Sequence, residues 1–248
     1  MDVLVALLGL FLGRLFNEVV QHLPRKQALL AHPASCPACG QSVPALWLPL
    51  AGYLSLKGRC PHCRRPLPRR LPLVEGLTTL LFWWAYRESG LSWETVFAWA
   101  LASLAVMVSF IDLEHRLIPN KLVLTGIVLA LPLSLLAGRP MLTTLAGGLA
   151  GFGLLFVIAS VYPGAMGGGD VKLALPLGLF LGWPGVLVGL LFGFIAGGLI
   201  GLALLALRLR RLKDMIPFGP FLAAGALAAF WWGRGLADLY LTWVKGGP

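Results

Sequence analysis

Charge is scarce in this sequence, and negative charge is the scarcest. Aspartate, glutamate, lysine and arginine make up 12% of its 248 residues, and only 10 residues are acidic. Soluble domains carry about 25% charged residues, so the composition excludes an ordinary soluble domain. Hydrophobic residues account for 58% of the chain. They stand in runs of about 15 to 22 residues rather than in the short alternating segments of a membrane barrel. The sequence therefore predicts an all-α, polytopic membrane protein.

The N-terminal segment also lacks the features of a cleavable signal peptide. No lysine or arginine precedes the first apolar run, and Asn17-Glu18 stands where small cleavage-site residues would be needed. We therefore expect a retained first transmembrane helix at 1–23. The chain shows no internal repeat and no low-complexity tract.

Eight apolar segments are candidates to cross the bilayer. They lie at roughly 2–22, 73–87, 95–112, 121–137, 142–162, 171–183, 186–207 and 216–243. The sixth is short, because its residues would rise only about 20 Å against a hydrocarbon core of about 30 Å. The expected organisation is the first helix at 1–23, a cysteine-containing loop at 24–72 and a transmembrane core at 73–248. We call residues 24–72 the cysteine loop.

Basic residues are concentrated on one side of these segments. The loops 24–72, 113–121, 163–173 and 208–214 contain 15 of the 20 lysines and arginines, whereas the opposite side has 4. Under the positive-inside rule the basic loops are cytoplasmic and both termini lie outside. The net charge of +10 therefore fits a lipid bilayer as the partner, and we expect no nucleic acid.

All four cysteines fall in the cysteine loop, which has eight basic residues and no acidic one. The pairs Cys36/Cys39 and Cys60/Cys63 are separated by twenty residues. This spacing is typical of a zinc ribbon, because each C-x2-C turn offers two thiolates to one tetrahedral ion. Two disulfides are the alternative, and a reducing cytoplasm argues against them. We predict one structural zinc per chain, since four protein ligands leave no open position for catalysis.

The strongest candidate for a functional site is the segment MGGGDVK at 166–172. It places Asp170 behind three glycines and between two apolar runs. An ionisable residue beside hydrocarbon is costly and therefore a functional candidate. Asp112, at the end of another apolar run on the same predicted side, has comparable surroundings. The active-site loop would comprise Gly167, Gly168, Gly169 and Lys172, with the glycines letting backbone or substrate approach the carboxylate closely.

Two neighbouring carboxylates have a specific chemistry. They cannot both ionise readily, so they share a proton. The ionised one takes a proton from water while the protonated one donates to a carbonyl oxygen, which amounts to amide hydrolysis without a metal. From the residues alone, proton relay in a transporter and a cation site remain alternatives. No broken-helix repeat with matching halves supports the transporter.

The other acidic residues near the apolar segments have simpler interpretations. Glu18 and Glu75, at the cytoplasmic ends of the first two segments, can each snorkel to the interface or pair with a basic residue. Glu114 follows Asp112 in a short polar loop and is expected to be a solvated helix end. Asp214 and Asp238 do not resemble a site.

Together these motifs resemble the type IV prepilin peptidases, membrane aspartyl proteases of the GxGD type. Residues 13–24, GRLFNEVVQHLP, look like the family's G-S-F-L-N-V-V-I-x-R-L-P opening. The paired C-x2-C follows, and then RLPLVE at 70–75, which is similar to R-Y-P-L-V-E. Ile111-Asp112 with LIP at 117–119 resembles the first aspartate motif, Gly167 to Lys172 resembles the second, and IPFGP at 216–220 resembles the last motif. In this order the set covers most of the chain.

The resemblance implies a bacterial inner-membrane protein that cleaves the basic leader from prepilins and pseudopilins at the cytoplasmic face. Asp112 and Asp170 match the catalytic aspartates one for one. Many members of the family also methylate the new N-terminus, so S-adenosylmethionine is implied as a cofactor. No G-x-G-x-x-G or other cofactor fingerprint is present, so the sequence assigns no residues to that cofactor.

The chain departs from the family pattern at several positions. Arg14 replaces a small residue, Glu18 a valine and His22 an arginine, and ALWLP at 45–49 stands where the family often has W-E-N-I-P. The absence of this Glu and Asn weakens the expectation of methyl transfer and does not affect the expectation of proteolysis. The rival hypothesis is a non-catalytic membrane protein, either a transporter with the aspartates as a proton relay or an assembly factor that docks partners on its zinc loop. The sequence does not predict the oligomeric state.

Overall fold

The computed structural model describes residues 1–25, 36, 38–43, 49–164, 166–209 and 216–244, with side chains up to residue 233 in the last stretch. Within these residues the regular structure is helical, and Arg59 and Pro66 form an isolated β-bridge. The helices are α1 (Asp2–His22), α2 (Ala51–Ser55), α3 (Arg70–Ser89), α4 (Trp93–His115), α5 (Asn120–Leu136), α6 (Met141–Val161), α7 (Gly168–Leu181), α8 (Gly185–Ala206) and α9 (Gly219–Val244).

The all-α prediction is confirmed, because eight of these helices coincide with the eight predicted apolar segments. The short helix α2, inside the cysteine loop, was not expected. Helix α3 begins at Arg70, three residues before the predicted segment, so the RLPLVE motif is itself helical. Pro72 is tolerated there because the N–H groups of a first helical turn have no partner within the helix.

Four helices, α1, α4, α6 and α8, are long and apolar enough to cross a membrane in the part of the chain that the structure describes. Helix α5 is apolar but has only 17 residues. These helices identify a membrane protein, while the full count of eight crossings stays a prediction.

Helix α7 is the short sixth segment, with 14 residues from Gly168 to Leu181. It packs against α5, α6, α8 and α9, and most of its side chains are buried. Its contact with α6 is backbone to backbone, since a Cβ at Gly178 would lie 2.2 Å from the carbonyl oxygen of Gly147. Such small residues let membrane helices approach closely. A helix buried in this way contacts other helices rather than lipid on most of its surface.

The chain forms two compact units, Met1–His115 and Arg116–Pro248. In the first unit α1 crosses α3 at Gly9 and Gly13, where an added Cβ would lie 2.7 Å from the Cα atoms of Thr79 and Glu75 respectively. The second unit contains α5 to α9. The predicted domain borders at 23 and 72 remain a prediction.

Candidate active site and metal centre

The four cysteines of the cysteine loop lie together. All four Sγ atoms are within 4.8 Å of one another, with 3.8 Å between Cys36 and Cys63 and 3.9 Å between Cys39 and Cys60. A tetrahedral zinc with Zn–S bonds of about 2.3 Å would hold its sulfurs about 3.8 Å apart. A disulfide needs about 2.0 Å, and the four cysteines are free. The thiols therefore fit one tetrahedral metal ion, and the disulfide alternative is wrong for this structure.

Both C-x2-C segments are closed by the same backbone hydrogen bond. The N–H of Gly40 donates to the carbonyl of Cys36 at 2.8 Å, and the N–H of Arg64 donates to the carbonyl of Cys60 at 2.9 Å. Each turn ends in the left-handed region, with φ of 72° at Gly40 and 57° at Arg64. Glycine adopts this conformation at little cost, whereas at Arg64 it carries strain.

One thiol of the cluster is already biased towards its ligand form. Backbone N–H groups of Cys63 and His62 point at the Cys60 sulfur and lower the pKa of this thiol to about 6. A thiolate is the form that binds metal. The cluster is also tied to the helices, because Cys36 and Cys60 share a small hydrophobic core with Leu71 in the first turn of α3.

Asp170 lies in the first turn of α7, where a negative charge is favoured by the helix dipole. Its own N–H donates to the carbonyl of Gly167 at 3.0 Å, and the residue is 9% exposed. The carboxylate lies close to Gly167, since a Cβ there would be 3.1 Å from Oδ2 of Asp170. Gly167 therefore leaves the room that this carboxylate needs.

The remaining members of the predicted active-site loop have different surroundings. A Cβ at Gly169 would be 3.2 Å from Cβ of Ile118, whereas a Cβ at Gly168 would meet nothing within 4 Å. Lys172 donates from Nζ to Oδ1 of Asn120 at 3.3 Å. The glycine run thus combines two close contacts with one open position beside Asp170.

Asp112 lies in the last turn of α4, is 6% exposed and follows the fully buried Ile111. Both candidate aspartates are therefore buried ends of apolar helices, as the sequence indicated. They belong to different compact units, so their pairing stays a prediction.

The three departures on α1 form one connected group, which sequence reasoning missed. Arg14 donates to Oε1 of Glu18 at 2.5 Å, and Nε2 of His22 lies 3.3 Å from Oε2 of Glu18. All three residues are buried and stand four residues apart on one helix face. The expectation that Glu18 pairs with a basic residue is confirmed. The i, i+4, i+8 spacing was the available signal.

Glu75 has partners that its sequence did not suggest. Its Oε2 accepts from the N–H of Leu50 at 2.7 Å, and Oε1 accepts weakly from Asn17 at 3.5 Å. Glu75 is 3% exposed, so it does not snorkel, and among the described residues its hydrogen-bond partners are Leu50 and Asn17. Instead it connects the cysteine loop to α3 and α1.

Glu114 lies at the exposed end of α4, as expected, but it also has an ionic partner that the sequence did not suggest. Arg70 donates from Nη1 to Oε2 of Glu114 at 2.6 Å and from Nη2 to Oε1 of Gln21 at 2.9 Å. Arg70 and Glu114 are 44 residues apart, so no local sequence pattern could predict that they pair. Asp214 lies outside the described residues, and so does the side chain of Asp238.

Comparisons with known proteins agree with these motifs. Residues 99–202 match the type IV leader peptidase family, and residues 7–88 match the bacterial peptidase A24 N-terminal domain. The prepilin leader peptidase/N-methyltransferase of Aeromonas hydrophila is 33% identical, covering 96% of this chain and 93% of the relative. The protein of that name from Bacillus subtilis is 30% identical, with 96% and 97% covered. No solved structure matches. The chain belongs to the type IV leader peptidase family.

Proposed function

We propose that this protein is a membrane aspartyl endopeptidase that removes the leader peptide from prepilins and pseudopilins. The observation that carries the proposal is the buried aspartate at each of the two motif positions, Asp112 and Asp170, in a chain of this family. The substrate class follows from the names of its relatives.

Hydrolysis requires the two carboxylates to hold one proton between them. The ionised aspartate takes a proton from water, whose oxygen attacks the scissile carbonyl carbon, while the protonated aspartate donates its proton to the carbonyl oxygen. When the tetrahedral intermediate collapses, the C–N bond breaks and the nitrogen receives a proton from the carboxyl that took one from water. One hydroxyl of the intermediate returns its proton to the other carboxylate as the C=O bond re-forms. The aspartates then again share one proton, and the cycle needs no metal.

The glycine run before Asp170 supports this chemistry sterically. The open position at Gly168 leaves space for an extended substrate backbone beside the carboxylate. Gly167 gives the carboxylate itself room, as its contact with Oδ2 of Asp170 requires. Larger side chains here would compete with substrate for this space.

The cysteine cluster would hold one structural zinc ion. The sulfur separations fit tetrahedral coordination, and four protein ligands leave no open position for water. A bound zinc would supply folding energy to the cysteine loop. Cys36, Cys39, Cys60 and Cys63 are the proposed ligands.

N-methylation of the newly formed N-terminus by S-adenosylmethionine is a second proposed activity. It rests on the names of the relatives. Of the segment at 45–49 that stands where the family often has W-E-N-I-P, residues 45–48 lie outside the described residues. We assign no residue of this chain to that cofactor.

One experiment tests both activities. The full chain is co-expressed with a candidate prepilin, and the N-terminus of the product is analysed by mass spectrometry. Loss of the leader mass would establish cleavage, and an added methyl group would establish methyl transfer. An intact leader would contradict the peptidase. A transporter that uses the aspartates as a proton relay would instead show substrate flux in vesicles and could retain it in Asp112→Glu.

A further inference from the structure

Arg70 occupies a buried position where three helix ends meet. It is the first residue of α3, and its hydrogen-bond partners are Gln21 near the end of α1 and Glu114 near the end of α4. The side chain is only 8% exposed. Among the described residues its Nε finds no partner. A guanidinium is thus held out of water, with Glu114 as its hydrogen-bonded carboxylate and Glu18 as a further favourable charge.

Stability alone does not account for this arrangement. Taking a guanidinium out of water is costly, and a well-packed apolar side chain often holds helices together equally well. An unpaired buried N–H adds to that cost. The pair of the buried Arg70 with the partly exposed Glu114 does, however, fix geometry, because the guanidinium fork binds its partners in defined directions. The hydrogen bonds of Arg70 to Glu114 and Gln21 therefore favour a role in orienting the helix ends that carry these residues.

Glu114 belongs to the last turn of α4, the same turn as Asp112. That turn begins to lose its backbone partners, since the last four carbonyls of a helix accept no bond within it. Arg116, just beyond the helix, has φ of 52°, and Leu113 is 55% exposed. The hydrogen bond from Arg70 to Glu114 ties the turn to α3.

We infer that Arg70 is a positioning residue for the proposed catalytic Asp112, acting through Glu114. Arg70 holds Glu114, Gln21 holds the guanidinium, and the last turn of α4 is thereby kept in place with the Asp112 carboxylate on it. Glu114 has a second neighbour, Nε2 of His115 at 3.9 Å, but this is the adjacent residue of the same turn. The inference rests on the proposed function, because it needs Asp112 to react.

The test compares Arg70→Met, Arg70→Lys and Glu114→Gln with the exposed neighbour Arg69→Met as matched control. Full-length proteins are assayed on a purified prepilin, with thermal unfolding of each variant as a measure of folded protein. We expect Arg70→Met and Glu114→Gln each to lower kcat about tenfold with little change in KM, the split that marks an interaction made in the transition state. Arg70→Lys should lose less, because lysine keeps the charge without the fork. Arg69→Met should stay within about twofold of wild type, as surface substitutions away from a site usually have small effects.

The double variant Arg70→Met/Glu114→Gln distinguishes positioning from two separate effects. If the residues act as one unit, the double variant should lose no more kcat than either single variant, because changes in one contact are not additive. If Arg70→Met does not fold, the nearly isosteric Glu114→Gln carries the test. Unchanged kcat with a lower melting temperature, or a change confined to KM, would overturn the inference.

A parallel Asp112→Asn assay distinguishes a failure of the positioning role from a failure of the proposed function. If Asp112→Asn abolishes cleavage while Glu114→Gln leaves kcat unchanged, only the positioning role is wrong. Turnover retained in Asp112→Asn would refute the proposed function itself.

Discussion

At the scale of single residues, the three glycines before Asp170 are not equivalent. The sequence predicted a common role, close approach to a carboxylate, and could not rank them because the contacts of an absent side chain do not appear in a motif. In the structure Gly167 and Gly169 each have an atom within 3.2 Å of an added Cβ, and Gly168 has none within 4 Å. Only the first contact involves the carboxylate itself.

We therefore predict that Gly167→Ala is more damaging than Gly168→Ala. The added methyl group at 167 would displace Oδ2 of Asp170 by a few tenths of an ångström. Since a displacement of about 1 Å at a reacting group costs about 100-fold in rate, we expect a smaller but measurable loss. The measurement is kcat for leader cleavage by each variant, normalised to folded protein. Equal activity of the two variants would show that the contact at Gly167 does not set the position of the carboxylate.

For the charged residues, the sequence predicted burial better than it predicted side-chain partners. Burial of Asp112 and Asp170 followed from their apolar surroundings. The partners of Glu75 and Glu114 did not, because Leu50 and Arg70 are distant in sequence and the fold alone brings them together. The Arg14–Glu18–His22 group has a helical spacing that is visible in the sequence and could have predicted these contacts.

At the scale of elements, helix prediction succeeded because long apolar runs in a membrane protein have few alternatives to a helix. The positions of eight helices followed, including the short α7. What surrounds α7 did not follow, since a run that is apolar on every side does not show which neighbours cover it. Its close approach to α6 depends on Gly147 and Gly178 meeting across a sequence distance of about 30 residues.

The cysteine loop gives a prediction at this scale. Purified protein should contain one zinc per chain, and Cys60→Ser should lose most of it, because the buried Cys60 lies in the core that joins the loop to α3. Elemental analysis together with limited proteolysis of the loop measures both effects. Wild-type protein prepared without chelators that contains no metal would contradict the assignment.

At the scale of the whole molecule, the charge distribution of 15 to 4 predicts the orientation in the membrane. We expect Glu88→Cys to react with an impermeant thiol reagent added to intact cells, and Lys121→Cys to react only after the membrane is opened. Both native side chains are exposed, so accessibility would report the side of the membrane. Wild-type protein, whose cysteines are expected to be cytoplasmic, serves as the blank. Labelling of Lys121→Cys in intact cells would reverse the topology.

The central claim is that proteolysis depends on the two aspartates and not on the metal. Asparagine at either position keeps the size of the side chain and removes the ionisable group that each half of the reaction requires. Removal of the zinc should affect turnover only to the extent that the cysteine loop loses its structure, since a fully coordinated ion has no site for water.

The most direct test measures leader cleavage by Asp112→Asn, by Asp170→Asn and by wild-type protein after zinc removal, with folding checked in every sample. We predict no detectable cleavage by either folded asparagine variant, and cleavage by the zinc-depleted protein in proportion to its folded fraction. Turnover at the wild-type level in either asparagine variant would contradict the aspartate mechanism. Complete loss of cleavage in zinc-depleted but folded protein would assign the catalytic role to the metal.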